Sequence, residues 1–302
     1  MKLRLNNISK SYGNVQILKQ ISFDLTPGIY GLLGANGSGK TTLFRIICDL
    51  LKADSGQVLF NGRDIKDQAE EFRSILGYLP QDFNYYPDFS GLKFMLYIAA
   101  LKGLNSKTAK KRCIELLDFV GLGSVKNKKI KQYSGGMKQR LGIAQTLIND
   151  PTILILDEPT VGLDPKERIR FRKLLSYLSR DKIIILSTHI VSDVESVADE
   201  ILILKDGILQ AKGTPRNLAA EIEGQVWECF VSQEEAEKLE SRFLISNSRN
   251  DSKGVIVRIV SAQRPVPSAV QVTASLEDLY LYYFRERGKS DDEFSAIWNG
   301  KN

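Results

Sequence analysis

The chain has a single histidine and only three cysteines in 302 residues, and it has no long hydrophobic run. Cys48, Cys113 and Cys229 are far apart, odd in number and match no ligand spacing. That excludes a disulfide or zinc framework and fits a reducing cytoplasm. No apolar stretch approaches the length that crosses a bilayer. Met1-Lys2-Leu3-Arg4-Leu5 leads into strand-like alternation and not into a signal peptide. If this protein serves a membrane process, another chain must supply the membrane part. Repeats and low-complexity segments are also missing. The net charge of +6 comes mostly from scattered Lys and Arg, not from a basic patch interleaved with aromatics. It reads as solubility, and no nucleic-acid partner is expected. The run Lys126-Asn127-Lys128-Lys129-Ile130-Lys131 reads as a solvated loop.

What is present is an ordinary globular balance, 43% hydrophobic and 26% charged, long enough for one large domain with an appendage or for two domains. Lys2 to Asn7 and Ile21 to Leu25 alternate as strands do. Gly28 to Leu33 is a short apolar run that breaks into a glycine-rich loop. Leu43, Ile46, Ile47, Leu50 and Leu51 then carry the spacing of one buried helix face. From about Tyr85 to Asp150 the pattern is helical, with helices expected over 94–101, 108–120 and 137–148. Two continuous apolar runs, 153–156 and 183–186, flank a helix over 166–179 and read as central strands covered by helices. A further strand is expected over 200–204. Near Gly213 to Pro215 the rhythm changes. A strand over 226–231, a helix over 234–243, a turn-rich 247–254, a strand over 255–260 and a helix over 276–284 suggest a small α+β appendage that ends in a polar tail.

The chemistry begins at Gly34-Ala35-Asn36-Gly37-Ser38-Gly39-Lys40-Thr41, which has the form G-x-x-x-x-G-K-[ST]. The glycines let successive N–H groups turn toward phosphate oxygens, and the helix beginning near Lys40 adds its positive end. Lys40 would reach the β- and γ-phosphates, and the Thr41 hydroxyl would ligate Mg²⁺. Further on, Ile153-Leu154-Ile155-Leu156-Asp157-Glu158 ends a buried strand in two acids. Asp157 suits Mg²⁺, and a carboxylate one residue later could orient and deprotonate an attacking water. His189 follows the strand at 183–186. By itself a lone histidine past a strand is more often a stray polar group.

Upstream of the acids, Gln132-Tyr133-Ser134-Gly135-Gly136-Met137-Lys138-Gln139-Arg140 resembles the L-S-G-G-Q signature of ATP-binding cassette (ABC) ATPases, with Tyr133 at the usual Leu and Met137 at the usual Gln. Ser134 can cap the helix that follows, and the two glycines allow close backbone approach to a phosphate. Other positions match the family in order. Tyr12 stands where an aromatic stacks on adenine. Gln81 looks like the Q-loop glutamine that senses Mg²⁺ and the attacking water. Asp164, before Pro165, looks like the D-loop aspartate that bridges two subunits. His189 matches the switch histidine that reaches the γ-phosphate and holds Glu158 in place.

The resemblance spans roughly residues 1–215. It implies an α/β fold of the P-loop NTPase cassette type: a mixed-sheet core with an antiparallel β part and a helical subdomain at about 85–150, all within a cassette of residues 1–216. A C-terminal accessory domain with its polar tail would occupy 217–302. Two cassettes would sandwich two ATP molecules. In each site Asn36, Gly37, Ser38, Gly39, Lys40, Thr41 and Thr42 from one copy would face Ser134, Gly135, Gly136 and Asp164 of the other. Glu158, His189, Gln81 and Lys40 would serve hydrolysis, and Thr41, Gln81 and Asp157 would hold Mg²⁺. Only one phosphate loop is present, so the implied protein is a single-cassette subunit at the cytoplasmic face of the membrane, driving a separate membrane-spanning permease. The region after Gln81 and the segment Ser275-Leu276-Glu277-Asp278-Leu279 resemble cassettes of ABC-2-type exporters. The aromatics at 85–89 could seat a partner's coupling helix or could be ordinary core. A soluble ABC ATPase acting on nucleic acid or ribosomes is the alternative, although such proteins usually carry two cassettes or a long coiled coil. A non-catalytic ATP-binding subunit is the other rival, and the presence of Glu158, Gln81 and His189 argues against it.

Overall fold

Gly28–Leu33, Ile153–Asp157 and Ile183–Thr188 are buried at every position, as central strands covered on both faces must be. The computed structural model describes residues 1–252 and 254–284. The expected polar tail after Phe284 lies outside the described residues. The chain divides into two units, Met1–Lys212 and a second that begins at Gly213.

The first unit runs in order β1 (Leu3–Tyr12), β2 (Val15–Leu25), β3 (Gly28–Leu33), α1 (Lys40–Ile47), β4 (Ser55–Phe60), β5 (Arg63–Asp64), α2 (Ala69–Ser74), β6 (Leu76–Leu79), α3 (Gly91–Leu101), α4 (Ser106–Phe119), α5 (Gly135–Thr146), β7 (Ile153–Asp157), α6 (Pro165–Leu178), β8 (Ile183–Thr188), α7 (Val191–Glu195), β9 (Glu200–Lys205) and β10 (Ile208–Gly213). One sheet has the order β2-β1-β4-β5 and is antiparallel. The other has the order β10-β9-β3-β8-β7-β6, and its pairings from β9 to β6 are parallel. Ligands of such sheets bind beyond the carboxyl ends of the strands. That edge is where β3 gives way to the glycine loop, β7 to Glu158, β8 to His189 and β6 to Gln81. Leu3, Leu5, Ile21 and Leu25 of the antiparallel sheet pack with Leu43, Phe44 and Ile47 of α1 and with Ile153, Ile155, Ile183 and Ile185 in one core, which fixes the loop against both sheets.

The first helix is shorter than its apolar spacing suggests. It ends at Ile47, because Asp49 adopts the left-handed region with φ 56° and the N–H groups of Leu50 and Leu51 both return to the Arg45 carbonyl. Leu50 is therefore 63% exposed and not part of the buried face.

The second unit comprises α8 (Pro215–Ala219), β11 (Val226–Val231), α9 (Gln233–Glu240), β12 (Leu244–Asp251), β13 (Gly254–Val260), β14 (Val270–Gln271) and α10 (Leu276–Phe284). Its sheet has the order β12-β13-β11-β14 and is antiparallel. Ala236 and Leu239 of α9 close its core over Cys229, Val231, Val255, Val257 and Ile259. The stretch 247–254, expected as turns, is mostly strand: Asn247 to Asp251 pair with Arg258 to Gly254. As an edge strand, β12 needs few apolar side chains, so its polar sequence hides it. Asp278 of α10 is buried. It accepts from Arg258 Nε and Nη2 at 2.9 and 2.8 Å, from Ser246 Oγ at 2.5 Å and from Ser275 Oγ at 2.6 Å. Burial pushes its pKa up, but the Arg258, Ser246 and Ser275 hydrogen bonds outweigh this and hold it below the usual carboxylate range.

Candidate functional site

The glycine loop is shaped by steric demands that only glycine meets. At Gly39, the residue that caps α1, φ is 105°, and a Cβ would lie 2.8 Å from Leu18 Cδ2. At Gly34 a Cβ would run into Ser38 Oγ and the Leu204 carbonyl. Asn36 and Gly37 are exposed at the crest of the loop, while Ser38 and Lys40 are buried. The Ser38 hydroxyl is buried without a hydrogen-bond partner, an orphaned group that a phosphate oxygen would satisfy. Lys40 Nζ donates to the carbonyls of Gly34 at 2.6 Å and Ala35 at 3.2 Å and lies 3.6 Å from Glu158 Oε1. Burial lowers the Lys40 pKa below that of an ordinary lysine, against the opposing pull of Glu158 and Asp157. Thr41 and Thr42 follow, half-buried, on the first turn of α1.

The carboxylates sit where the sequence placed them. Asp157 is fully buried. Its Oδ2 accepts from Thr41 Oγ1 at 2.8 Å and its Oδ1 from Ser187 Oγ at 2.5 Å. The paired Thr41 hydroxyl and Asp157 carboxylate form an all-oxygen donor set of the kind Mg²⁺ takes alongside phosphate. Glu158 is 5% exposed and has φ 49°, a conformation that non-glycine residues rarely adopt and that turns its side chain off the strand line. Its backbone N–H donates to Ser187 Oγ at 2.9 Å. Its Oε2 lies 3.1 Å from His189 Nδ1, and its Oε1 is buried without a hydrogen-bond partner. A carboxylate held at one oxygen by His189, with no hydrogen-bond donor at the other and Lys40 3.6 Å from it, is the geometry of a proton acceptor. Thus Lys40, Thr41, Asp157, Glu158 and His189 converge, and the only histidine is in contact with the proposed base.

Other expected residues make no hydrogen bond to this cluster. Gln81, two residues past β6, is exposed and makes no hydrogen bond to either carboxylate. Tyr12, at the end of β1, is 48% exposed, with Lys10 Nζ 5.9 Å from its ring centre. Ser134 caps α5 by accepting from the Met137 N–H at 3.2 Å and is exposed beside Gly135. None of Ser134, Gly135 and Gly136 hydrogen-bonds to the phosphate loop of its own chain. Gly136 packs instead on Glu167, whose carboxylate a Cβ there would strike and which pairs with Arg140 at 2.9 Å. Asp164 caps α6 by accepting from the Glu167 N–H at 2.8 Å. The unusual Tyr133 is accommodated because residue 91 is glycine. The ring is buried, its hydroxyl donates to the Val125 carbonyl at 2.9 Å, and a Cβ on Gly91 would collide with that hydroxyl. Among the aromatics after Gln81, Phe83 packs inward on Phe94, whereas exposed Tyr86 and Tyr97 meet at 5.4 Å and each contacts Phe89. Of the aromatics at 85–89, Tyr86 is exposed and Tyr85 and Phe89 are half-buried.

Three residues here have no motif to announce them. Ser187 bridges Asp157 and Glu158. Thr160 donates to buried Asp193 at 2.6 Å. Only tertiary pairing of β7 with β8 and of the 158–164 loop with α7 reveals them, although Ser187 lies two residues before His189.

The family model described as ABC transporter matches residues 18–161. The Nod factor export ATP-binding protein I of Paraburkholderia xenovorans (strain LB400) is 33% identical over 281 residues, covering 92% of each chain. The uncharacterized ABC transporter ATP-binding protein YxlF of Bacillus subtilis (strain 168) is 33% identical over 294 residues, covering 92% of this chain and 98% of that protein. Among solved structures, an ATP-binding subunit of an ABC transporter superposes with a TM-score of 0.66 at 27% identity, over 73% of this chain and 93% of that one. A dimeric post-hydrolysis state of an ATP-binding cassette bound to ADP and Pi superposes with a TM-score of 0.65 at 28% identity, over 70% of this chain and 98% of that one.

Proposed function

The chain belongs to the ATP-binding cassette family of ABC transporters, and from that premise we propose that it hydrolyses ATP as one half of a cassette dimer that drives a membrane-spanning export partner. The observation that carries the site assignment is the meeting of Glu158 with His189 and Lys40 beside the Thr41–Asp157 pair. The loop amides and the α1 N-terminus bind the phosphates. Lys40 offers positive charge to the transferring phosphoryl group. Thr41 and Asp157 would hold Mg²⁺, with Gln81 reaching it from the β6 end, and the ion would neutralise charge on the phosphate oxygens. Glu158 Oε1 takes the proton of the attacking water, while His189 holds Oε2 and fixes the carboxylate plane.

Ser134 and Gly135, exposed at the head of α5, present a helix N-terminus to a phosphate bound by a second copy, with Asp164 beside them. ATP then joins two surfaces that neither copy closes alone, and hydrolysis releases them, a shift between two populated states. Tyr12 supplies a stacking face for adenine. Among the described residues no helix is long and apolar enough to cross a membrane. We place the cassette at the cytoplasmic face, attached through its partner. Exposed Tyr86 and Tyr97, packed about half-buried Phe89 just beyond Gln81, suit a partner's amphipathic helix. Export as the direction rests on the Nod factor export relatives. We assign residues 1–216 to the cassette and the remainder to an accessory domain.

A phosphate-release assay tests the site. Glu158→Gln and His189→Ala should each retain ATP binding and lose most turnover. Near-normal release by either would remove that residue from the mechanism. Stimulation of the parent protein by nucleic acid, in place of co-purification with a membrane protein, would favour the soluble alternative.

A further inference from the structure

Asp193 is an ionisable side chain buried in full, and the proposed chemistry does not use it. A carboxylate in that position is costly unless it is paired and hydrogen-bonded. Its closest partner is not the cation. Thr160 Oγ1 donates at 2.6 Å, whereas Arg168 Nη1 lies 3.3 and 3.4 Å from the two oxygens. Arg168 also donates from Nε to the Leu163 carbonyl at 3.3 Å. One carboxylate thus gathers both ends of the loop between Glu158 and α6. Asp193 itself sits in the first turn of α7, with its N–H bonded to the Ile190 carbonyl at 3.2 Å. Only Ile190 separates His189 from that helix.

The two partners of the Glu158–His189 contact therefore leave the site in different directions, one through Thr160 and the other through α7, and they meet again at Asp193. We infer that Asp193 is a positioning residue that locks the loop following Glu158 to the helix following His189. Through it, the placement of Gly162 to Asp164, the loop we assign to contact with a second cassette, is transmitted to the base and its histidine. The inference rests on the assignment of Glu158 and His189 to hydrolysis.

The test uses the full chain. Asp193→Asn keeps the shape but removes the charge. Thr160→Val removes the short hydrogen bond, and Thr160→Ser keeps it. Asp193→Asn and Thr160→Val should each lower kcat about tenfold while KM and the equilibrium affinity for ATP stay within about twofold, since only the placement of reacting groups is disturbed. Thr160→Ser should stay close to the parent, and the double variant should be no slower than the slower single one. If Asp193→Asn fails to fold, Thr160→Val and Thr160→Ser carry the test alone. Loss of ATP affinity and melting temperature in step with kcat, or losses that multiply in the double variant, would reduce Asp193 to a structural group and overturn the inference. So would unchanged kcat in both single variants. Glu158→Gln and His189→Ala run in parallel: if they are inactive while Asp193→Asn is normal, only this inference fails, and if they too turn over normally, the site assignment fails.

Discussion

Replacing Ser187 by alanine removes one oxygen and two hydrogen bonds. Its hydroxyl donates to Asp157 Oδ1 and accepts from the Glu158 N–H, and Ser187 and Asp157 are both fully buried, so water cannot take its place without opening the sheet. An unsatisfied buried N–H costs about 1–3 kcal/mol, and a lost bond to a charged acceptor about 1.5–3 kcal/mol. The two losses share one site and do not add fully, so a total of about 2–4 kcal/mol is expected. For a unit of this size that corresponds to a fall of roughly 4–16 °C in melting temperature, measured by calorimetry. The Glu158 N–H anchors the φ 49° turn that aims the carboxylate, so turnover should fall about tenfold as well, with ATP affinity changed much less. Ser187→Thr keeps the hydroxyl and should lose less activity than Ser187→Ala. A Ser187→Ala protein that melts within about 1 °C of the parent and hydrolyses ATP at the parent rate would refute the bridging role.

Gly91→Ala should destabilise the helical region by about 1–3 kcal/mol, because its Cβ meets the Tyr133 hydroxyl, and adding Tyr133→Leu should recover part of that loss; thermal melts of the single and double variants read it. Asp278→Asn should destabilise the second unit by about 1.5–3 kcal/mol, since Arg258 loses its buried partner while keeping Glu228 at 3.0 Å. The first unit holds no tryptophan, so the fluorescence of Trp227 follows unfolding of the second unit. The Asp278 pKa is depressed on folding, so its stabilisation is complete above the unfolded value near 3.9 and disappears as pH falls through the lower folded value. The gap between Asp278→Asn and the parent should therefore close as pH drops below about 4, and a gap that is constant with pH would contradict the assignment.

Much of the site is legible in the sequence because its parts are local. The phosphate loop declares itself through glycines at fixed spacing, and β7 and β8 through unbroken apolar runs that end at Glu158 and before His189. What spacing cannot show is how separate segments interlock. Ser187, Thr160 and Asp193 are ordinary residues until β8 lies beside β7 and α7 beside the 158–164 loop. The same limit explains β12, where a polar edge strand carries turn-like composition, and Leu50, whose helical spacing persists past the residue that ends the helix. Tyr133 looks like a defect in the signature until Gly91, more than forty residues earlier, is seen beneath it.

In the proposed cycle, ATP held by one phosphate loop is completed by Ser134, Gly135 and Gly136 of a second copy, and Glu158 ends this state by hydrolysis. The most direct test is the solution mass of the Glu158→Gln protein by light scattering, with and without ATP and Mg²⁺. The protein should be a monomer without nucleotide, and with ATP its mass should double and revert when Ser134→Arg is added. A protein that binds ATP and remains monomeric, or a dimer indifferent to ATP and to Ser134→Arg, would contradict it.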